Sequence, residues 1–148
     1  MEIMTRRLVF KAKDVEGFSL SGAEDAFVSR LLVDKEGVGA NSFVINHFTL
    51  RPGKSTERGS HPNPFEEAYY VLSGTGRVRL GAPPETYAIG PGWIVFIPAG
   101  TQHCVENLGS SDMEILTVMT APMKEGINAV YDGRIKEWGT SFKLKPGT

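Results

Sequence analysis

Two of the three histidines in this 148-residue chain stand in settings suited to holding a metal ion. His61 lies in Ser60-His61-Pro62-Asn63-Pro64-Phe65-Glu66-Glu67, and His103 ends Pro98-Ala99-Gly100-Thr101-Gln102-His103. Glu67 opens an apolar run that continues through Tyr70, Val71 and Leu72. Side chains alternate faces along a strand, so Glu67, Tyr69 and Val71 share one face, and His103, Val105 and Asn107 share another. If those two strands cross in one barrel, Glu67 and His103 converge inside it, with His61 as the third group. Two imidazoles and one carboxylate leave coordination positions open for water, a substrate or O2. Tyr69 follows Glu67 onto the same face. It either donates a hydrogen bond to a ligand or fills the barrel, and it is the one candidate for an acid beside such a metal.

These residues need a scaffold of strands. Glycine (17) and proline (9) interrupt the chain every few residues, and between them sit short runs rich in Val, Ile, Phe, Tyr and Thr. That rhythm predicts many short strands in a sandwich or barrel. The expected strands are Ala26 to Val33, Asn41 to Leu50, Ala68 to Leu72, Gly76 to Leu80, Thr86 to Ile89, Ile94 to Ile97, His103 to Asn107 and Glu114 to Met119. Gly74-Thr75-Gly76 spaces two of them at hairpin length. Gly81-Ala82-Pro83-Pro84, Gly90-Pro91-Gly92 and Pro98-Ala99-Gly100 mark further breaks. No helix of length is expected before Ala121, and a weak helical turn is expected around Lys124 to Val130. Tyr131 and Trp138 suggest that the tail packs on the barrel or crosses to a second subunit.

Bulk composition narrows the classes. The length suits one domain spanning residues 1–148, with a barrel over about 26–120. Sixteen basic and seventeen acidic residues give a net charge of −1, so no basic field is available to attract nucleic acid. No run of about eighteen apolar residues predicts a membrane span. Arg6 and Arg7 precede Leu8-Val9-Phe10, which Lys11 ends too soon for a secretory leader. A lone cysteine, Cys104, excludes an internal disulfide. Both features suit a cytoplasmic protein.

Gly92-x5-Pro98-x-Gly100-x2-His103-x3-Asn107 is similar, position for position, to the second cupin motif, G-x5-P-x-G-x2-H-x3-N. His61-x-Asn63-x3-Glu67-x6-Gly74 resembles the first, G-x5-H-x-H-x3,4-E-x6-G. The resemblance covers roughly Gly53 to Asn107 and departs at two places. The gap from Gly53 to His61 is two residues longer than the pattern. Asn63 stands where the family's second histidine would be.

The resemblance implies an all-β, double-stranded β-helix (jelly-roll) cupin barrel that forms a homodimer. It implies one divalent transition metal (Fe, Mn, Ni, Co or Zn) on His61, Glu67 and His103, with Asn63 as a fourth ligand. An amide oxygen is a neutral, weak donor for such a metal. Weaker binding, a water in that position, or an oxygen-tolerant metal would follow. The family includes dioxygenases, isomerases, decarboxylases and lyases, and the fold does not choose among them. The leading expectation is a metal-dependent enzyme acting on a small organic molecule. Its alternative is a non-catalytic ligand-binding or sensory protein, with weak or no metal. A storage role ranks last.

Other residues read more plainly. Glu66 alternates away from Glu67. His47 reads as a hydrogen-bonded core or surface histidine rather than a pocket group. Cys104 points away from His103 as a small buried hydrophobe. Phe48, Trp93 and Phe96 read as core. Arg51, Arg58, Arg77 and Arg79 read as solvated strand-face residues, and Asn107 as fixing a turn or strand end.

Overall fold

Alternating side chains give each short strand one face to bury, and two sheets facing each other bury both. The computed structural model describes residues 8–148; most of the Met1–Phe10 stretch lies outside it. The strands are β1 (Phe27–Val33), β2 (Phe43–Leu50), β3 (Glu67–Ser73), β4 (Gly76–Leu80), β5 (Glu85–Ile89), β6 (Ile94–Ile97), β7 (His103–Asn107) and β8 (Met113–Thr120). A five-stranded sheet runs β1-β2-β8-β3-β6 and a three-stranded sheet runs β5-β4-β7. Every pairing is antiparallel. The arrangement is the all-β jelly-roll barrel of the expectation. No helix among the described residues is long and apolar enough to cross a membrane.

The core lies between the sheets. Leu50, Val71, Val78, Ile97, Val105, Met113 and Ile115 are all buried in one cluster. Two devices hold its turns. Gly74 ends β3 at φ +83°, where a Cβ would also meet the Asp112 carbonyl oxygen at 2.7 Å. Asn107 donates from Nδ2 to the carbonyls of Leu50 and Ser111 at 2.8 and 2.9 Å, and its Oδ1 accepts the Gly109 N–H at 2.9 Å.

The segment after β2 follows β7 as an irregular neighbour rather than looping free. Ser55 bridges Glu106 and Gly59 bridges His103. The Thr56 N–H donates to the Val105 carbonyl at 2.9 Å.

Two α-helices, α1 (Lys35–Val38) and α2 (Ala129–Trp138), and a 3-10 turn at Ala12–Asp14 flank the barrel among the described residues. The weak helical turn expected at Lys124 to Val130 is displaced: the helix starts later and runs ten residues. Asn128 sets that start, because its side chain accepts the Val130 and Tyr131 N–H groups. Gly139, at φ 72°, ends it. The tail then returns to the N-terminal segment, where Leu144 bridges Val15.

Candidate metal centre

Glu67 opens β3 in the larger sheet, and His103 opens β7 in the smaller one. Each points into the barrel, so the two face each other across it. His61 belongs to neither strand. The Gly59 bridge to His103 carries the chain alongside β7, and the Gly100 N–H donates to the His61 carbonyl at 2.7 Å. Gly100 makes that bond at φ +79°, a conformation that side chains disfavour.

Three side chains meet at the point so formed. His61 Nε2 lies 3.4 Å and His103 Nε2 3.5 Å from the same Glu67 oxygen, Oε1. One ligand atom from each residue lies within 4.8 Å of the others. Both rings are oriented from behind. His61 Nδ1 sits 3.0 Å from the Ile127 carbonyl oxygen, and His103 Nδ1 sits 2.9 Å from that of Thr101. A carbonyl only accepts, so each Nδ1 carries the proton and each neutral ring turns its Nε2 lone pair inward. Two lone pairs then face a carboxylate, which calls for a proton or a cation between them. Donors about 2.1 Å from a shared ion lie roughly 3.0–3.4 Å apart at right to tetrahedral angles. The residues present therefore fit a divalent transition metal, and the backbone carbonyls serve as the outer partners such ligands need.

Protonation follows the same contacts. The hydrogen bond with Glu67 raises the His61 pKa above its usual value, against the opposing effect of burial. Burial alone would raise the Glu67 carboxyl; hydrogen bonds and charge from His103 and His61 outweigh it and hold the pKa low. Tyr69 is buried one step along β3, with its ring 6.3 Å from that of His103. Burial, then the neighbouring Glu67 charge, push its phenol well above the usual value, so it stays protonated.

The three groups open into a cavity of about 470 Å³. Its walls come from β1, β2, β3, β7 and β8, from the 55–61 segment and from the start of α2. Phe27 and Phe48 stack 5.1 Å apart on one side, and Ile115, Val105 and Ile127 add apolar surface. Asn46, Ser29, Thr117 and Arg134 supply polar groups.

Asn63 does not join the triad. The chain reverses at Pro62–Phe65, where the Phe65 N–H donates to the Pro62 carbonyl at 2.9 Å. Asn63 sits exposed at the tip of that turn and is not part of the cavity wall. The structure therefore does not bring this motif position to the triad.

Glu66 is exposed and His47 faces outward, with Nε2 2.6 Å from Glu114. Cys104 is buried. Arg77 and Arg79 pair with Glu106, and Arg51 pairs with Asp112. Arg58 lies at the cavity rim and donates to the Gly81 carbonyl at 3.1 Å. Phe48 packs against the core, but Trp93 and Phe96 are both 56 % exposed, against expectation. All four residues of β6 are apolar, so alternation gives no sign of which face is inside.

Arg134, Asn46, Ser29 and Thr117 were not legible as cavity residues. Only α2 carried a signal: a capping Asn128, then Gly133 beside Arg134. A Cβ at Gly133 would meet Leu20 at 2.8 Å and Phe18 at 2.9 Å, so the glycine lets the helix lie close.

The family described as the cupin domain matches residues 46–119, half of the chain. Among curated proteins, the chain is similar to an oxalate-binding protein of Thermotoga maritima. They are 31% identical over 88 residues, covering 60% of this chain and 70% of that protein. It is also similar to a mannose-1-phosphate guanylyltransferase of Escherichia coli, 30% identical over 78 residues. That match covers 53% of this chain and only 16% of the longer protein. Among solved structures, the polyketide cyclase RemF from Streptomyces resistomycificus superposes with a TM-score of 0.68 at 28% identity. The superposition covers 85% of this chain and 86% of that one.

Proposed function

The chain belongs to the cupin family, and we propose that it is a metal-binding cupin enzyme that acts on a small organic molecule inside its barrel. The observation that carries this reading is the pair of imidazoles pinned at Nδ1 with both Nε2 atoms turned to one Glu67 oxygen. His61, Glu67 and His103 would hold the ion. A divalent metal bound there supplies a Lewis acid toward a substrate oxygen, or an O2 site if it is iron.

The remaining work falls to the chain. Tyr69, held protonated by burial, donates a hydrogen bond to a substrate oxygen beside the triad. Phe27, Phe48 and Ile115 exclude water and hold the apolar part of the molecule.

A second reading is a binding protein without turnover. It is favoured by the 31% identity to a relative named for binding oxalate. The protein is also proposed to form a homodimer. In support, Ile94, Tyr70 and Leu116 form one paired row on the outer face, beside the row Phe96, Ala68 and Val118. Ile94 and Phe96 are 64 % and 56 % exposed there, on an edge strand. A cytoplasmic location is proposed from the lone free cysteine.

Elemental analysis of the purified protein, repeated on the His61→Ala/His103→Ala variant, tests the metal. A divalent transition metal in the parent and its loss in the variant are expected. Equal content in both, or none in the parent, would overturn the reading. Consumption of a bound molecule then separates enzyme from binding protein.

A further inference from the structure

The cavity has a second polar end, built around a buried cation. Arg134 of α2 lines the cavity and is only 2% exposed. No carboxylate lies within ion-pair distance of it among the described residues. Its Nη2 donates to two neutral groups of the same wall, Ser29 Oγ at 2.7 Å and Asn46 Oδ1 at 3.2 Å. Its Nε is buried and has no hydrogen-bond partner among the described residues. The Phe18 ring lies 5.8 Å from its Cζ.

Among the described residues, Asp34 is the one acid whose charge is felt at the guanidinium. Its oxygens are taken by the Gly37 N–H and the Ser141 hydroxyl. Burial brings the Arg134 pKa down to about 10, so the group remains a cation at neutral pH. A buried charge without a counter-ion is costly, and a donor left unbonded adds to that cost. Its position in a cavity wall lets a ligand supply both missing partners.

Resting on the reading of the cavity as a small-molecule site, we infer that Arg134, with Ser29 and Asn46, is a subsite for a carboxylate carried by that molecule. One guanidinium balances one negative charge, and its planar fork suits two carboxylate oxygens. A phosphate dianion would need a second cation. Asn46 pairs with Thr117, and Thr117 with Tyr69. Asn46 and Tyr69 are therefore two strand spacings apart, roughly 10 Å. The ligand is an organic acid whose carboxylate is remote from the group that reaches the triad.

The test is calorimetric titration with benzoate and with straight-chain dicarboxylates from malonate to adipate. It uses the parent protein, Arg134→Gln and Asn46→Asp, each with metal restored and again after chelation. Asn46→Asp keeps the side-chain volume and pairs the guanidinium internally, so it carries the test should Arg134→Gln fail to fold. At least one of these acids should bind the parent and weaken at least about tenfold in the folded variants, with metal content unchanged. Equal affinity in parent and variants, no binding of any acid, or stronger binding of inorganic phosphate would overturn the subsite. Arg134-dependent binding in a protein that holds no metal would keep the subsite while removing the metal reading.

Discussion

His61 Nδ1 lies 3.0 Å from the carbonyl oxygen of Ile127, so the segment that follows the barrel orients a side chain of the triad. The same segment then supplies Asn128, Ala129 and Val130 to the cavity wall and Arg134 to its polar end. The tail is thus part of the site rather than an appendage.

Ending the chain after Gly126 removes the Ile127 carbonyl and frees the His61 ring to rotate. Metal affinity should fall by about 10–100-fold, as for the loss of other outer partners of a ligating histidine. Competition with a chromophoric chelator measures it, and circular dichroism verifies that the strands persist. Unchanged affinity in a folded truncation would separate the tail from the site.

Proton and metal compete for His61. The Glu67 hydrogen bond raises its pKa above the ordinary 6.5. In the metal-free protein this contribution to stability is fully present below the unfolded value and is lost as pH rises through the raised folded value. Metal affinity runs the other way: it climbs through that window and levels off above it. Metal titrations from about pH 6 to about pH 8 read the effect. A flat profile would show that His61 is not a ligand.

Asn107 makes three hydrogen bonds while 1% exposed. Asn107→Ala leaves buried backbone groups unpaired at about 1–3 kcal/mol each, and a loss of about 3 kcal/mol is expected. Urea unfolding measures it. Since Asn107 is not part of the cavity wall, metal content should stay at the parent's level.

On the outer face, Ile94→Lys with Phe96→Glu places charge in the paired apolar rows. Sedimentation should show a dimer in the parent and a monomer in the variant, and circular dichroism should show the strands kept, because neither side chain belongs to the barrel's own core. A parent that sediments as a monomer would remove the dimer proposal.

The strands were legible because Gly and Pro bound short runs rich in Val, Ile, Phe, Tyr and Thr, and β4, β6 and β7 fall on their expected residues. His103 and Glu67 were legible because both sit at strand starts, where alternation fixes the face. Asn63 rested on its place in the first motif alone, which does not reveal that a turn carries the residue to the surface. Arg134 was hidden twice over. It lies in a helix interrupted by Asp132 and Gly133, which blur any apolar stripe, and its role depends on Ser29 and Asn46, far away in the sequence. The outward face of β6 was hidden because Ile94-Val95-Phe96-Ile97 is apolar on both sides.

Glu67 comes from one sheet, His103 from the other, and His61 from the segment that runs beside the second. An ion shared by all three would act as a clasp between halves that otherwise adhere through apolar side chains. Affinity for the ion would then count directly toward resistance to unfolding. Free metal at a hundredfold excess over its Kd adds about 2.7 kcal/mol. Metal supply would thereby set how long the folded chain survives heat, chelators or proteases, whatever reaction the cavity performs.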